Sequence, residues 1–316
     1  MVKNFKRMKM TYAFIFPGQG GFVPGLGQEI LENYNEAKEI YQEASEALSF
    51  DYAYLLKTGA EKSGLEFSKS NYAQGAIALS SYVVFKLFLK LAPKLELAPF
   101  FGHSLGEYSA LLSSQAFSLK SALVVLKERN HLMSQAPSSG MLVALGLEDS
   151  FINDFCQKQQ NEGKSVYAAN FNCPGQVVLA GLKPDLEEAQ IKLKELGAKR
   201  LLMLNMSSAS HCPLLKDAAL ALKPVLEREL NESFAPVISN ATAKNYSSKE
   251  EALELLPLQL QAPLLYSSCV KNSTADILIE CSGSVLGGLN KKITDKSTLS
   301  ITDCASLENA LNEAAR

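Results

Sequence analysis

Short apolar runs alternate along the chain with stretches of helical period, which is the pattern of an α/β protein. Residues 12–16 form a short apolar β run that ends in the turn Pro17-Gly18-Gln19-Gly20-Gly21. Helical period follows over about 28–48 and 72–91, and 97–101 is the next strand candidate. Gly102-His103-Ser104-Leu105-Gly106 comes directly after it, and 107–113 has helical composition. A further helix is expected from the N-cap candidate Ser118 to about Ala136, where Pro137-Ser138-Ser139-Gly140 breaks it.

The middle of the chain has a different rhythm. Strand-like runs at 141–147, 165–170, 176–182 and 199–206 are interleaved with helical stretches at 149–160 and 185–196. The order βαββαβ predicts a ferredoxin-like subdomain over 140–207, inserted into a larger α/β body made of 1–139 and 208–316. Small polar and turn residues bound it on both sides. Beyond it, helices are expected near 213–231 and 248–261, and strands at 237–239 and 277–280.

Composition narrows the possibilities without deciding them. The chain has 316 residues, 47% hydrophobic and 20% charged, with a formal net charge of −2. That balance offers no basic excess for nucleic acid. Lys3, Lys6, Arg7 and Lys9 precede the apolar run 12–16, but the run is shorter than the roughly 7–15 residues a signal peptide needs. The cluster reads as a solvated leader, with Met1, Met8 and Met10 all open as the start. The longest apolar region, 82–101, is broken by Lys86, Lys90, Lys94 and Glu96, so no membrane span is expected. The six cysteines form no CxxC pair and no cluster with histidine, so no metal site is expected, and reduced thiols fit a cytoplasmic protein.

The candidate chemistry centres on Ser104. The spacing GxSxG, with an apolar strand before it and a helix after it, fits a nucleophile elbow, where the helix N–H groups can face an oxyanion. The plain alternative is a glycine-rich turn with a serine N-cap. A serine needs a base, and only three histidines exist. His103 adjoins Ser104, and neighbouring side chains at a sharp turn point apart, so it is expected to pack beside the site or bond backbone. His131 has Glu128, Lys127, Ser134 and Gln135 as its helical neighbours and is expected to face water. His211 remains, in the loop where the chain leaves the inserted unit; a loop histidine without a role is the alternative.

Arg129 shares a helix with His131 but has Val125, Leu126, Leu132 and Met133 around it, so it should point inward. A buried guanidinium needs an anion. Either a buried Asp or Glu pairs with it, or it awaits a ligand carboxylate that its planar fork can hold at two points. Gln19, in the first glycine-rich turn, is a weaker candidate for a backbone donor at the strand ends.

Phe16-Pro17-Gly18-Gln19-Gly20, Gly102-His103-Ser104-Leu105-Gly106-Glu107 and Arg129 form an ordered set with NFNCPGQVVLAG at 170–181, SHCPL at 210–214, Gln259 and GGLNKKI at 287–293. From about Met10 onward this set resembles the malonyl-CoA:acyl carrier protein transacylases of fatty-acid synthesis and the related acyltransferase domains of polyketide synthases. The resemblance implies an α/β-hydrolase-like body with the ferredoxin-like insertion and the site between them. It implies Ser104 as nucleophile, His211 as base, and Arg129 as the grip on the malonyl carboxylate. The Gln19 and Leu105 amides would form the oxyanion hole, and the Gln259 backbone carbonyl would orient the histidine. Gln74, Asn172 and His103 would line the pocket. No permanently bound cofactor is implied; malonyl-CoA is the substrate and an acidic acyl carrier protein the partner, so a basic rim near the cleft is expected.

The sequence departs from the family pattern at Gly21-Phe22, around Gln74 and at Ser282-Gly283, which are wall and loop positions. Two rival functions stay open. A serine hydrolase or thioesterase would need an acid between Ser and His in chain order, with Asp149, Asp154 and Asp185 as candidates. A catalytically silent carrier-binding module would keep the fold and leave Ser104 unacylated.

Overall fold

The computed structural model describes residues 10–204 and 208–315. The basic cluster at 3–9, the start candidates Met1 and Met8, the last residues of the strand expected at 199–206, and Ser207 all lie outside the described residues.

Strand β1 (Thr11–Phe16) is buried from its second residue onward. A 3-10 turn at Gln19–Gly21 follows, and then α1 (Gln28–Asn33) and α2 (Asn35–Leu48). The single helix expected over 28–48 is thus two, because Tyr34 between them takes extended backbone (φ −118°, ψ 124°). α3 (Tyr52–Thr58), which periodicity did not suggest, begins at the N-cap Asp51. α4 (Ala73–Leu91) is buried along most of its length. Its Phe85 and Phe88 meet Phe14 of β1 edge-on, at ring separations of 4.9 and 5.5 Å. Such aromatic pairs add to the stabilisation that burial alone provides. By length and composition α4 is the one described helix able to cross a membrane, and 72% of its apolar window is buried inside the fold. That is what a core helix looks like.

The strand expected at 97–101 is two short pieces, β2 (Glu96–Leu97) and β3 (Phe101–Gly102). Pro99 lies between them, and without an N–H it cannot continue the ladder. Both pieces run parallel to β1, β2 against Thr11 and Tyr12 and β3 against Ile15 and Phe16. α5 (Leu105–Ser113) starts two residues after β3, and α6 (Leu119–Ser134) starts at the expected cap, where Ser118 accepts from the Ser121 amide.

The middle segment runs β4 (Ser139–Leu145), α7 (Asp149–Asn161), β5 (Val166–Cys173), β6 (Gln176–Leu182), α8 (Lys183–Glu195) and β7 (Arg200–Met203). Its strands form one antiparallel sheet in the order β5-β6-β4-β7. It carries its own apolar core, with Leu142, Val166, Leu179 and Leu186 fully buried.

The chain then forms α9 (Lys216–Glu229), β8 (Ser233–Ile238), β9 (Asn245–Ser248), α10 (Lys249–Gln261), α11 (Tyr266–Asn272), β10 (Ile277–Cys281), α12 (Val285–Asn290), β11 (Ser297–Ile301) and α13 (Cys304–Ala314). The helix expected over 213–231 opens as a 3-10 turn at Pro213–Leu215 before α9 begins. The parallel sheet has the order β11-β10-β1-β2, with β3 also on β1. β1 is therefore central, and its alternate residues enter two cores, Tyr12, Phe14 and Phe16 on one face and Ala13 and Ile15 on the other, which is why it reads as an unbroken apolar run rather than an alternating one. β8 and β9 make a separate antiparallel pair. The molecule is thus mixed α/β, one parallel sheet with additional antiparallel sheets.

The two larger sheets meet near the carboxyl ends of β1 and β3, where an open α/β sheet binds ligands. Leu264, just after α10, accepts from the Phe171 amide and donates to the Ala169 carbonyl of β5, at 2.9 and 2.8 Å.

Candidate active site

Only His103 and Ser104 separate β3 from α5, so the chain must reverse within two residues. Ser104 takes φ 56° and ψ −106°, a region that costs a non-glycine residue about 1–3 kcal/mol and persists only where its surroundings enforce it. The flanking glycines are steric necessities. A Cβ on Gly106 would lie 1.9 Å from the Phe16 carbonyl oxygen, and one on Gly102 would lie 2.3 Å from the Gly106 carbonyl carbon. The elbow is held from both sides. The Ser104 amide donates to Asn240 Oδ1 at 2.8 Å, and the Ser104 carbonyl accepts from Gln259 Nε2 at 3.0 Å.

His211 sits where the chain re-enters the body after the small sheet, also at positive φ (58°) and 1% exposed. Its Nδ1 lies 2.7 Å from the Gln259 backbone carbonyl, and its Nε2 lies 2.8 Å from Ser104 Oγ. A carbonyl only accepts, so Nδ1 carries the proton, and Nε2 is left to receive the serine hydroxyl proton. Burial pulls the imidazole down to about 3, assisted by the Arg129 and His103 charges and opposed by the Gln259 bond. The ring is therefore neutral near pH 7, the form a base must have. The acids that a hydrolase would place on this histidine are elsewhere. Asp149 accepts from the Gly175 amide and Asp185 from the Ser165 amide, and Asp154 lies on α7.

Arg129 points inward as its neighbours required and is 1% exposed. Among the described residues it forms no ion pair within 4 Å. Its NH1 donates to Gln74 Oε1 at 2.6 Å and its NH2 to Gln259 Oε1 at 3.4 Å. The Tyr108 ring lies 5.0 Å from the guanidinium carbon, and Nε has no hydrogen-bond partner among the described residues. Two neutral amides thus hold a buried cation in place without neutralising it. Burial lowers the guanidinium from its ordinary value, while Tyr108 and Glu107 raise it. Gln74 Nε2 in turn reaches Gln19 Oε1 at 3.4 Å, which joins the first glycine-rich turn to the same cluster.

The Leu105 amide opens α5 and the Gln19 amide opens the 3-10 turn. Neither donates to an acceptor among the described residues, as expected of first-turn N–H groups. His103 turns away from Ser104. Its Nε2 bonds Asn172 Oδ1 at 2.8 Å, and its ring packs 5.4 Å from that of Tyr266. His131 is exposed and bonds Gln135. Among the described residues no group of three His, Cys, Asp or Glu could hold a metal. A cavity of about 1070 Å³ opens elsewhere, against Tyr82, Phe85, Leu97 and Phe234, and contains none of these residues.

A seryl–imidazole–carbonyl relay beside a buried cation with no ion pair among the described residues suits acyl transfer from a donor bearing a carboxylate. The model of the acyl transferase domain family matches residues 13–255. The chain belongs to the acyl transferase family. Within it, the chain is 36% identical to the malonyl CoA-acyl carrier protein transacylase of Haemophilus influenzae, across 96% of this chain and 98% of that one. The crystal structure of malonyl-CoA:acyl carrier protein transacylase from Helicobacter pylori superimposes with a TM-score of 0.90 at 38% identity, covering 98% of this chain and 99% of that one. A complex of a type II polyketide synthase acyl carrier protein with its malonyl-transacylase matches with a TM-score of 0.88 at 32% identity, covering 96% and 99%.

For this acyl transferase, then, the fold brings Ser104, His211, Gln259, Arg129, Gln74, Gln19 and Leu105 into one cluster, with His103 and Asn172 at its side. Sequence reasoning missed three residues behind them: Glu107, Asn240 and Tyr246. Glu107 accepts from the Asn240 amide, Gln259 Nε2 and the Tyr246 hydroxyl, and is fully buried. Burial pushes its carboxyl up to about 7 against these three bonds and the Arg129 charge. Oε2 faces two N–H groups that can only donate, whereas Oε1 meets a hydroxyl. A signal was present: Glu107 is the only Asp or Glu between Glu96 and Glu128, in an apolar helix directly after the serine.

Proposed function

We propose that this chain moves a malonyl group from malonyl-CoA to the phosphopantetheine thiol of an acyl carrier protein, through a malonyl ester of Ser104. The observation that carries the reading is the contact of Ser104 Oγ with a neutral, carbonyl-oriented His211, next to a buried Arg129 that forms no ion pair within 4 Å among the described residues. In the first half-reaction Ser104 Oγ attacks the thioester carbonyl while its proton passes to His211 Nε2. The Leu105 and Gln19 amides receive the oxyanion, and each such donor is typically worth roughly 10²–10³ in rate. The carbon–sulfur bond breaks, and the imidazolium returns the proton to the departing coenzyme A thiolate. In the second half the carrier thiol gives its proton to His211 and attacks the ester, and Ser104 regains a proton as it leaves. Arg129 grips the malonyl carboxylate, and Gln74 keeps the guanidinium plane oriented.

The antiparallel unit is read as an inserted ferredoxin-like subdomain over 140–207, on an α/β-hydrolase-like body of 1–139 and 208–316. The strand order β5-β6-β4-β7 supports this, since it is the order βαββαβ connections produce. The site needs no permanently bound cofactor, the partner is an acidic acyl carrier protein, and the setting is the cytoplasm, where fatty-acid elongation would use the product.

The hydrolase alternative is tested by partition. Malonyl-enzyme mixed with holo carrier protein should give malonyl-carrier far faster than free malonate. Free malonate as the main product would reverse the assignment.

A further inference from the structure

Glu107 takes no part in the steps above, yet it lies where they are anchored. It is three residues after Ser104 in the first turn of α5, with no exposed surface. A carboxylate is rarely buried so completely unless donors compensate it. Oε2 accepts from the Asn240 amide at 3.0 Å and from Gln259 Nε2 at 2.8 Å, and Oε1 accepts from the Tyr246 hydroxyl at 2.8 Å.

The two residues on Oε2 are the same two that hold the serine. Asn240 Oδ1 accepts from the Ser104 amide, and Asn240 Nδ2 donates to the Gly102 carbonyl at 2.8 Å, so one side chain bridges the turn. Gln259 Nε2 is shared between Glu107 and the Ser104 carbonyl. The Gln259 backbone carbonyl orients His211, and its Oε1 meets Arg129. One carboxylate oxygen therefore fixes the partners of both backbone groups of Ser104. A strained conformation persists only when its surroundings over-determine it, and catalytic groups must be kept to within about 0.5 Å of productive geometry.

We propose that Glu107 is a positioning residue for acylation: its buried carboxylate fixes Asn240 and Gln259, and through them the Ser104 elbow and the carbonyl that orients His211. This rests on the reading of Ser104 as the acylated residue.

The test is single-turnover acylation of the full chain, followed by rapid quench and intact mass, with malonyl-CoA and with acetyl-CoA at several concentrations. Glu107→Gln keeps the size but removes the charge that strengthens all three bonds, and its NH2 finds an acceptor only in the Tyr246 hydroxyl. Charge-assisted bonds of this kind imply a fall of roughly ten- to a hundredfold in the maximal acylation rate. The fall should be alike for both donors, with the half-saturating concentration and the malonyl-to-acetyl ratio little changed. Asn240→Ala should reproduce it. Tyr246→Phe, which touches only the other oxygen, should slow acylation less than threefold. Near-ultraviolet circular dichroism at the assay temperature establishes that each variant is folded. If Glu107→Gln does not fold, the contrast between Asn240→Ala and Tyr246→Phe carries the test. Folded Glu107→Gln or Asn240→Ala acylating within threefold of wild type would overturn the proposal, as would Tyr246→Phe slowing as much as they do. Wild-type protein that takes up no malonyl group overturns instead the function on which the proposal rests.

Discussion

Around the Ser104 elbow, both backbone groups of the strained residue are tied to buried side chains, and those side chains are tied to a buried carboxylate. The small antiparallel sheet approaches the same site in another way. It keeps its own apolar core, and beside the site it meets the body through a shared apolar cluster of Met141, Ala169, Val178 and Ala180 with Ala209 and Cys212, the Ala209 amide on Ser139 Oγ, two backbone bonds at Leu264 and the bond from Asn172 to His103. Its strand β5 carries register shifts between Ala168 and Asn170 and between Phe171 and Cys173, at the point where it faces the site. Bulges of this kind re-aim side chains without disturbing the rest of a ladder. The contrast separates two tasks. Ser104 is over-determined by side chains of the body; the sheet supplies a wall through Asn172 and apolar packing behind the loop that carries His211.

Three expectations sharpen that contrast, beginning with the largest. Arg129→Ala removes a body residue that would contact the substrate. The loss of a two-point carboxylate grip should lower malonyl loading by about two orders of magnitude and acetyl loading far less. Competition between the two donors, read by mass, measures it. A second expectation concerns His211 and pH. Its folded value lies below its unfolded one, so between about 6.5 and about 3 the unfolded chain binds the extra proton. The stability this group contributes is present above 6.5 and is lost as pH falls through that window. Glu107 is shifted in the opposite direction, so the informative comparison is between wild type and His211→Gln. Melting temperatures taken from pH 7 to pH 4 should fall less for the variant. The smallest effect belongs to the wall. Asn172→Ala frees His103 Nε2 but leaves Ser104, His211 and Gln259 in place, so steady-state kcat/KM should fall only several-fold. A loss as large as that of Arg129→Ala would mean that the sheet holds the reacting groups after all.

What could be read from the sequence followed the range of the interactions involved. The elbow was legible because its constraint is local: glycines two residues to either side of a serine reflect contacts made within that turn and with the adjacent strand. The opposite fates of Arg129 and His131, two residues apart, followed from neighbours three and four positions away on one helix. The βαββαβ rhythm was legible for the same reason, whereas the proline break between β2 and β3 and the split of α1 from α2 blurred element boundaries. The cage on Glu107 was not legible. Its partners lie 133, 139 and 152 positions along the chain, and only the fold brings them together. That Arg129 forms no ion pair among the described residues was likewise a tertiary fact, since on its neighbours alone a buried acid was the more common answer and a ligand carboxylate the alternative.

The most direct test of the account is the intact mass of the protein after brief exposure to malonyl-CoA, beside acetyl-CoA, with Ser104→Ala in parallel. The account predicts a single malonyl adduct on the wild-type chain, much less acetyl adduct, and no adduct on folded Ser104→Ala. A folded wild-type protein that gains no mass, or a Ser104→Ala variant that is malonylated as readily, would contradict it.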